Sequence, residues 1–143
     1  FADRSSGDVH LALTCGEISA AEETLVRVHD AICVLDFLDQ NSRRHTYGID
    51  FALRSIAQHG RGVLVLLHRA ESGNALLTAL QDDRATRPAQ KWDPRIYGIG
   101  AQILREVGVG KMRLMSSPRK MPSMAGFGLE ITGYYTPEGK NTP

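Results

Sequence analysis

Several side chains in this 143-residue sequence have the types and spacing to do chemistry. Arg119 and Lys120 follow a Ser116-Ser117-Pro118 turn that closes a short apolar stretch. If that stretch is a strand, the turn delivers two cations to its carboxyl end, where open α/β sheets bind ligands, and an anion is the natural occupant. Asp93 and Arg95 flank Pro94 ahead of an apolar ladder, as a helix start with Asp as N-cap and Pro at the first helical position. Arg27 and His29 alternate with Val26 and Val28, so they share one side of a strand, either lining a site or facing solvent. Cys15 and Cys33 are the only thiols, too few for a disulfide framework or a four-ligand zinc site. Cys33 with His45 makes two donors, and Asp36 or Asp39 offers a third, but Arg43 and Arg44 set positive charge beside any dication there.

These residues need a frame, and the apolar pattern supplies one. Ile99, Ile103, Leu104 and Val107 recur at helical spacing, and Gly108 ends the run. Residues 109–115, with Met112 and Leu114 alternating, read as a strand. Residues 9–14 and 24–29 also alternate, and these two strands are expected to pair. Ile49, Ala52, Leu53, Ile56 and Ala57 mark one face of an earlier helix that stops at His59-Gly60, and residues 63–67 form a continuous branched run, as in a strand buried on both faces. Helix, turn and strand therefore follow one another twice, which predicts an α+β fold of mixed α/β units on a central sheet, in a single domain. Between these elements, residues 30–42 declare neither helix nor strand. Ser72 or Asn74 caps a short helix through Leu76, Leu77 and Leu80, and residues 81–91 read as a mobile polar loop. Residues 121–124 read as a linker or short helix, residues 128–134 as a final strand and residues 136–143 as a frayed tail.

Composition narrows the function classes. With 42% hydrophobic and 23% charged residues the sequence is that of an ordinary globular domain, and a formal net charge of +1 gives no basic footprint for general nucleic-acid binding. The longest apolar run, residues 63–67, is too short to cross a bilayer, and no charged-then-apolar leader is read at the start. The expectation is a cytoplasmic protein with no membrane and no nucleic-acid partner.

The run Asp-x-Arg-x-Tyr-Gly-Ile-Gly-Ala-Gln-Ile-Leu, made by Asp93, Arg95 and residues 97–104, resembles the signature stretch of GTP cyclohydrolase II, the riboflavin-pathway enzyme that opens the imidazole ring of GTP. The likeness extends to residues 24–29, 60–64, 113–120 and 126–130, in the family's order. It implies a GTP cyclohydrolase II-like fold over residues 1–135. The likeness starts almost at Phe1, with no room for the strand that opens the family's domain, so the sequence is expected to be a piece of a longer chain.

What the resemblance implies for chemistry divides in two. In the family, zinc activates water for attack on the imidazole carbon, an arginine is the proposed nucleophile that releases pyrophosphate, and an aspartate two residues before it accepts a proton. Arg95 and Asp93 match the last two. Lys120 matches a lysine near the phosphates, Ser116 stands in for a threonine there, and Arg27 and His29 match polar residues beside GTP. The family's pocket motif Arg-Gln-Glu-Gly-Arg survives here as Arg69 and Glu71, with Ala70, Ser72 and Gly73 at the other places. The metal half is absent. The family's Arg-Val-His-Ser-Glu-Cys reads Arg27-Val28-His29-Asp30-Ala31-Ile32-Cys33, and where the family shows two more cysteines as Cys-x-Cys-Gly the sequence has Arg43-Arg44-His45-Thr46-Tyr47-Gly48. Metal activation brings water's pKa down to about 7, of order ten kcal/mol, and Asp93 alone does not supply that. The expectation is therefore a domain with no metal ligands and no cofactor, in which Asp93 and Arg95 are vestigial. Its role would be structural or regulatory, beside an N-terminal 3,4-dihydroxy-2-butanone 4-phosphate synthase domain in the same chain, as a homodimer that binds GTP or another phosphorylated ligand. The rival expectation is an active cyclohydrolase with an unusual site built from Cys33, His45, Asp93 and Arg95.

Overall fold

The computed structural model describes residues 1–30, 47–68, 73–74, 77, 94–116 and 124–136. Its elements are β1 (Leu11–Cys15), β2 (Glu23–Asp30), α1 (Ile49–His59), β3 (Gly62–Leu67), α2 (Pro94–Glu106), β4 (Lys111–Leu114), a 3-10 turn (Met124–Phe127) and β5 (Glu130–Tyr134). The strands form one sheet in the order β1-β3-β2-β4-β5. Strands β2 to β5 run parallel, and β1 lies antiparallel to β3 along the edge. The predicted mixed α/β units on a central sheet are found.

One expected pairing is corrected: β1 does not pair with β2, because β3 lies between them. The cause is burial. Every residue of β3 is buried, so this apolar strand belongs inside the sheet, and its parallel partner β2 reaches it through the α1 crossover. Strand β1, where Leu11 and Leu13 remain 52% and 44% exposed, takes the edge.

Strand alternation sends the two faces to two cores. Val26, Val63, Val65 and Leu67 pack with Ala101, Ile103 and Leu104 of α2. Leu25, Leu64, Leu66 and Met115 pack with Ile49, Ala52 and Ile56 of α1. The predicted helical ladders hold at their centres, with one correction. Leu53 and Ala57 are exposed, because the buried line of α1 runs Ile49, Ala52, Ser55 and Ile56 and leaves the other two on its rim. Gly60 ends α1 in the left-handed conformation, at φ 83°, with its N–H bonded to the Ile56 carbonyl at 2.9 Å.

The amino edge of the sheet carries its own fastening. Arg113 Nε donates to Glu23 Oε1 at 2.9 Å, and the Thr132 hydroxyl donates to Glu23 Oε2 at 2.5 Å, so one carboxylate joins β2, β4 and β5. The hydrogen bond from Thr132, and then the one from Arg113, hold the Glu23 carboxyl below its ordinary range, against the opposite pull of partial burial.

Candidate functional site

Parallel strands put their carboxyl ends on one edge, and both helices start from that edge. Helix α2 begins near it, because the backbone of Gly100 rides on Val28 in the second half of β2: a Cβ at Gly100 would lie 3.5 Å from Val28 Cγ1. Its far end reaches Gly108, beside Ile18 in the segment that leads into β2. Arg95 stands exposed in the first turn of α2. On the opposite face Tyr47 precedes the start of α1, while Gly60, past its end, meets Gly16 at the amino edge.

Arg27 and His29 share the α1 face of β2, as alternation predicts, and both are buried, at 7% and 0% exposure. The reading of these two as an exposed strand face is thereby corrected, since α1 and Tyr47 lie on this side. Arg27 Nη1 donates to the Met115 carbonyl at 3.0 Å, and its guanidinium carbon lies 6.0 Å from the centre of the Tyr47 ring. Ser116 comes next after Met115, whose own N–H bonds to the Val26 carbonyl at 2.8 Å, so this half-buried serine stands at the same sheet edge. Arg27, His29 and Ser116 are therefore gathered at the carboxyl ends of β2 and β4, with Arg95 at the corresponding end of α2. Guanidinium, imidazole and hydroxyl groups suit an anionic ligand. Asp93, Arg69, Glu71, Arg119, Lys120, Cys33 and His45 lie outside the described residues.

Two features of this edge were not singled out from the sequence. The Tyr47 ring stacks on Phe51 with centroids 5.4 Å apart, Phe51 meets Tyr135 at 6.4 Å, and the Tyr47 hydroxyl donates to the Tyr135 carbonyl at 3.1 Å. The spacing of Tyr47 and Phe51, four residues apart, was a readable signal for the first contact; Tyr135 gave none. The other feature is His10, which is 4% exposed and whose Nδ1 accepts the His68 backbone N–H at 3.0 Å. That bond leaves the neutral ring's proton on Nε2, a buried donor with no partner among the described residues.

Among the described residues no group of three or more His, Cys, Asp or Glu side chains sits close enough to hold a metal. Cys15 pairs with Gly62, the first residue of β3, and so lies at the amino edge, away from Arg27 and His29. At the position before Gly48 the side chain is a phenol whose hydroxyl already donates to a backbone carbonyl. The described residues at this edge offer His29 but no thiolate, whereas zinc is held by thiolate, imidazole and carboxylate donors; Cys33 and His45 lie outside the described residues.

A family model described as GTP cyclohydrolase II matches residues 1–136. The chain is 44% identical, over 134 residues, to a protein of Neisseria meningitidis serogroup A named 3,4-dihydroxy-2-butanone 4-phosphate synthase, covering 94% of this chain and 36% of the relative. It is 39% identical over 141 residues to a Pseudomonas aeruginosa protein of the same name, covering 96% of this chain and 38% of that one. A Parabacteroides distasonis relative named Riboflavin biosynthesis protein RibBA is 34% identical over 155 residues, covering 100% of this chain and 38% of the relative. The chain thus spans little more than a third of the length of these curated relatives.

Proposed function

Because the chain belongs to the GTP cyclohydrolase II family, we propose that it is a catalytically degenerate member, the carboxyl-terminal domain of a riboflavin-biosynthesis protein that also carries a 3,4-dihydroxy-2-butanone 4-phosphate synthase domain. The names of the relatives and their greater length support the setting. The observation that carries the degenerate reading is Tyr47. It stands where the family pattern has its last cysteine before glycine, and it is committed to Phe51, Tyr135 and Arg27. Without thiolates at this corner the water-activating half of the reaction has no place, and Asp93 and Arg95 are left as remnants of the other half.

The role that remains is structural or regulatory. Arg27, His29 and Ser116, together with Arg69, Glu71 and Lys120, form the ligand-contacting set of the proposal, and their chemistry suits GTP or another phosphorylated compound. A homodimer in the cytoplasm completes it.

The test is incubation of the purified protein with GTP and added zinc, reading formate and pyrophosphate. No formate is expected. Chelator-sensitive formate release overturns the degenerate reading in favour of an active cyclohydrolase. Thermal shift against GTP, flavin mononucleotide and ribulose 5-phosphate tests the ligand: an upward shift with at least one is expected, and no shift with any of them removes the ligand-sensing role.

A further inference from the structure

We propose that Tyr47 is a latch over Arg27, closed in this structure, and that an anion reaches the Arg27 guanidinium only when the latch opens. This rests on the reading of Arg27 as a ligand contact and adds how access to it is governed. Arginine recognises a pair of anionic oxygens through two parallel N–H groups. In the closed state Arg27 does not present them to solvent. It is 7% exposed, and its Nη1 is engaged with the Met115 carbonyl at 3.0 Å. Its guanidinium carbon lies over the Tyr47 ring, 6.0 Å from the ring centre, where a cation is attracted to the π face. A ligand therefore has to displace a ring and compete with a carbonyl before it meets this charge.

The catch and the hinge are separate. The Tyr47 hydroxyl donates to the Tyr135 carbonyl, and the ring stacks on Phe51 with planes inclined by 17°. Tyr135 is itself held to β4 by its N–H bond to the Leu114 carbonyl at 2.9 Å, so the catch is mounted on the sheet. The hinge side is not braced in this way. Tyr47 stands outside α1, whose first hydrogen bond runs from the Ala52 N–H to the Gly48 carbonyl at 3.0 Å. Gly48 is exposed and caps the helix without a side-chain bond, so Tyr47 can swing away without breaking a bond of α1. Tyr47 is half-buried and Phe51 is 37% exposed, which leaves the ring a way out toward water. Opening gives up one hydrogen bond and one cation–π contact, each modest, so the closed state dominates while the open one stays within reach.

The test is arginine labelling of the folded protein with phenylglyoxal, which attacks accessible guanidinium groups. Modified residues are located by peptide mass spectrometry, with Arg54, whose side chain is 73% exposed, as the internal reference. In the parent protein Arg27 should label far more slowly than Arg54. Tyr47→Phe removes the catch and keeps the ring, and should speed Arg27 labelling about two- to tenfold, the net effect of one hydrogen bond. Tyr47→Ala should speed it further; if that variant fails to fold, Tyr47→Phe decides. Gly16→Ala, a destabilising change at the amino edge, separates the latch from a general loss of stability and should leave Arg27 slow. Arg27 labelled as fast as Arg54 in the parent overturns the latch, as does Tyr47→Phe labelled no faster than Gly16→Ala. Calorimetric binding of GTP and of inorganic pyrophosphate is the second arm. A latch that a ligand must open lowers the apparent affinity by the fraction open, so Tyr47→Phe should bind tighter than the parent by about the factor its labelling gains. Equal or weaker binding by Tyr47→Phe overturns the proposal. Binding of neither probe by the parent or any variant removes the ligand-contact reading of this edge and leaves the latch to be decided by the labelling.

Discussion

The Tyr47 hydroxyl donates to the backbone carbonyl of Tyr135 at 3.1 Å, joining residues separated by 88 positions in sequence. Tyr47→Phe keeps the ring on Phe51 and deletes this bond alone. The expected loss is about 0.5–1.5 kcal/mol, the net worth of one hydrogen bond, measured by urea unfolding. A variant as stable as the parent would mean that the bond adds nothing to the stacked rings.

Glu23 gives the fold an acid limb. Its folded carboxyl titrates below the ordinary glutamate value of about 4.3, because Thr132 and Arg113 bond to the ionised form. Its contribution is then fully present above that value and is lost as pH falls through the lower, folded one. The pair with Arg113 is partly solvated, with side-chain exposures of 46% and 33%, so screening reduces its worth. Glu23→Gln is expected to cost up to about 1 kcal/mol near neutral pH and to flatten the decline in stability below about pH 4.3. Urea midpoints measured across that range check it, and two parallel curves would contradict it.

Burial separates two leucines of the same sheet face. Leu64 on β3 has no solvent exposure, whereas Leu13, its register partner on β1, is 44% exposed. Leu64→Ala should cost about 2–5 kcal/mol through lost transfer energy and a cavity. Leu13→Ala should stay within about 0.5 kcal/mol. Denaturant unfolding of both variants measures the difference.

Gly16 answers to two constraints at once. Its φ is 73°, and a Cβ there would strike the Gly60 carbonyl. Gly16→Ala is expected to cost about 1–3 kcal/mol, read as a lowered thermal midpoint. Gly7→Ala, with φ 78° but open space around it, should cost less.

What the sequence made legible follows from how local each signal is. The run at residues 63–67 announced a strand buried on both faces, and β3 is buried throughout. Gly60 and Gly108 marked helix ends, and both have positive φ. Alternation put Leu25, Arg27 and His29 on one side of β2, and that side carries the α1 core. The pairing of β1 was misread because strand order depends on which strand most needs cover on both faces, a comparison across the whole chain. Burial of Arg27 was equally hidden, since its covering partners, Tyr47 and the Met115 carbonyl, come from segments remote from β2. The motif residues Arg69, Glu71, Asp93 and Lys120 stand outside the described residues, so their readings rest on the sequence.

The central claim is that this chain keeps a cyclohydrolase fold without the donors that hold its metal. Zinc content per chain, measured by elemental analysis on protein expressed and purified with zinc present, tests that most directly. The account predicts far less than one zinc per chain after desalting. One tightly held zinc per chain, removable only by a strong chelator, would contradict it.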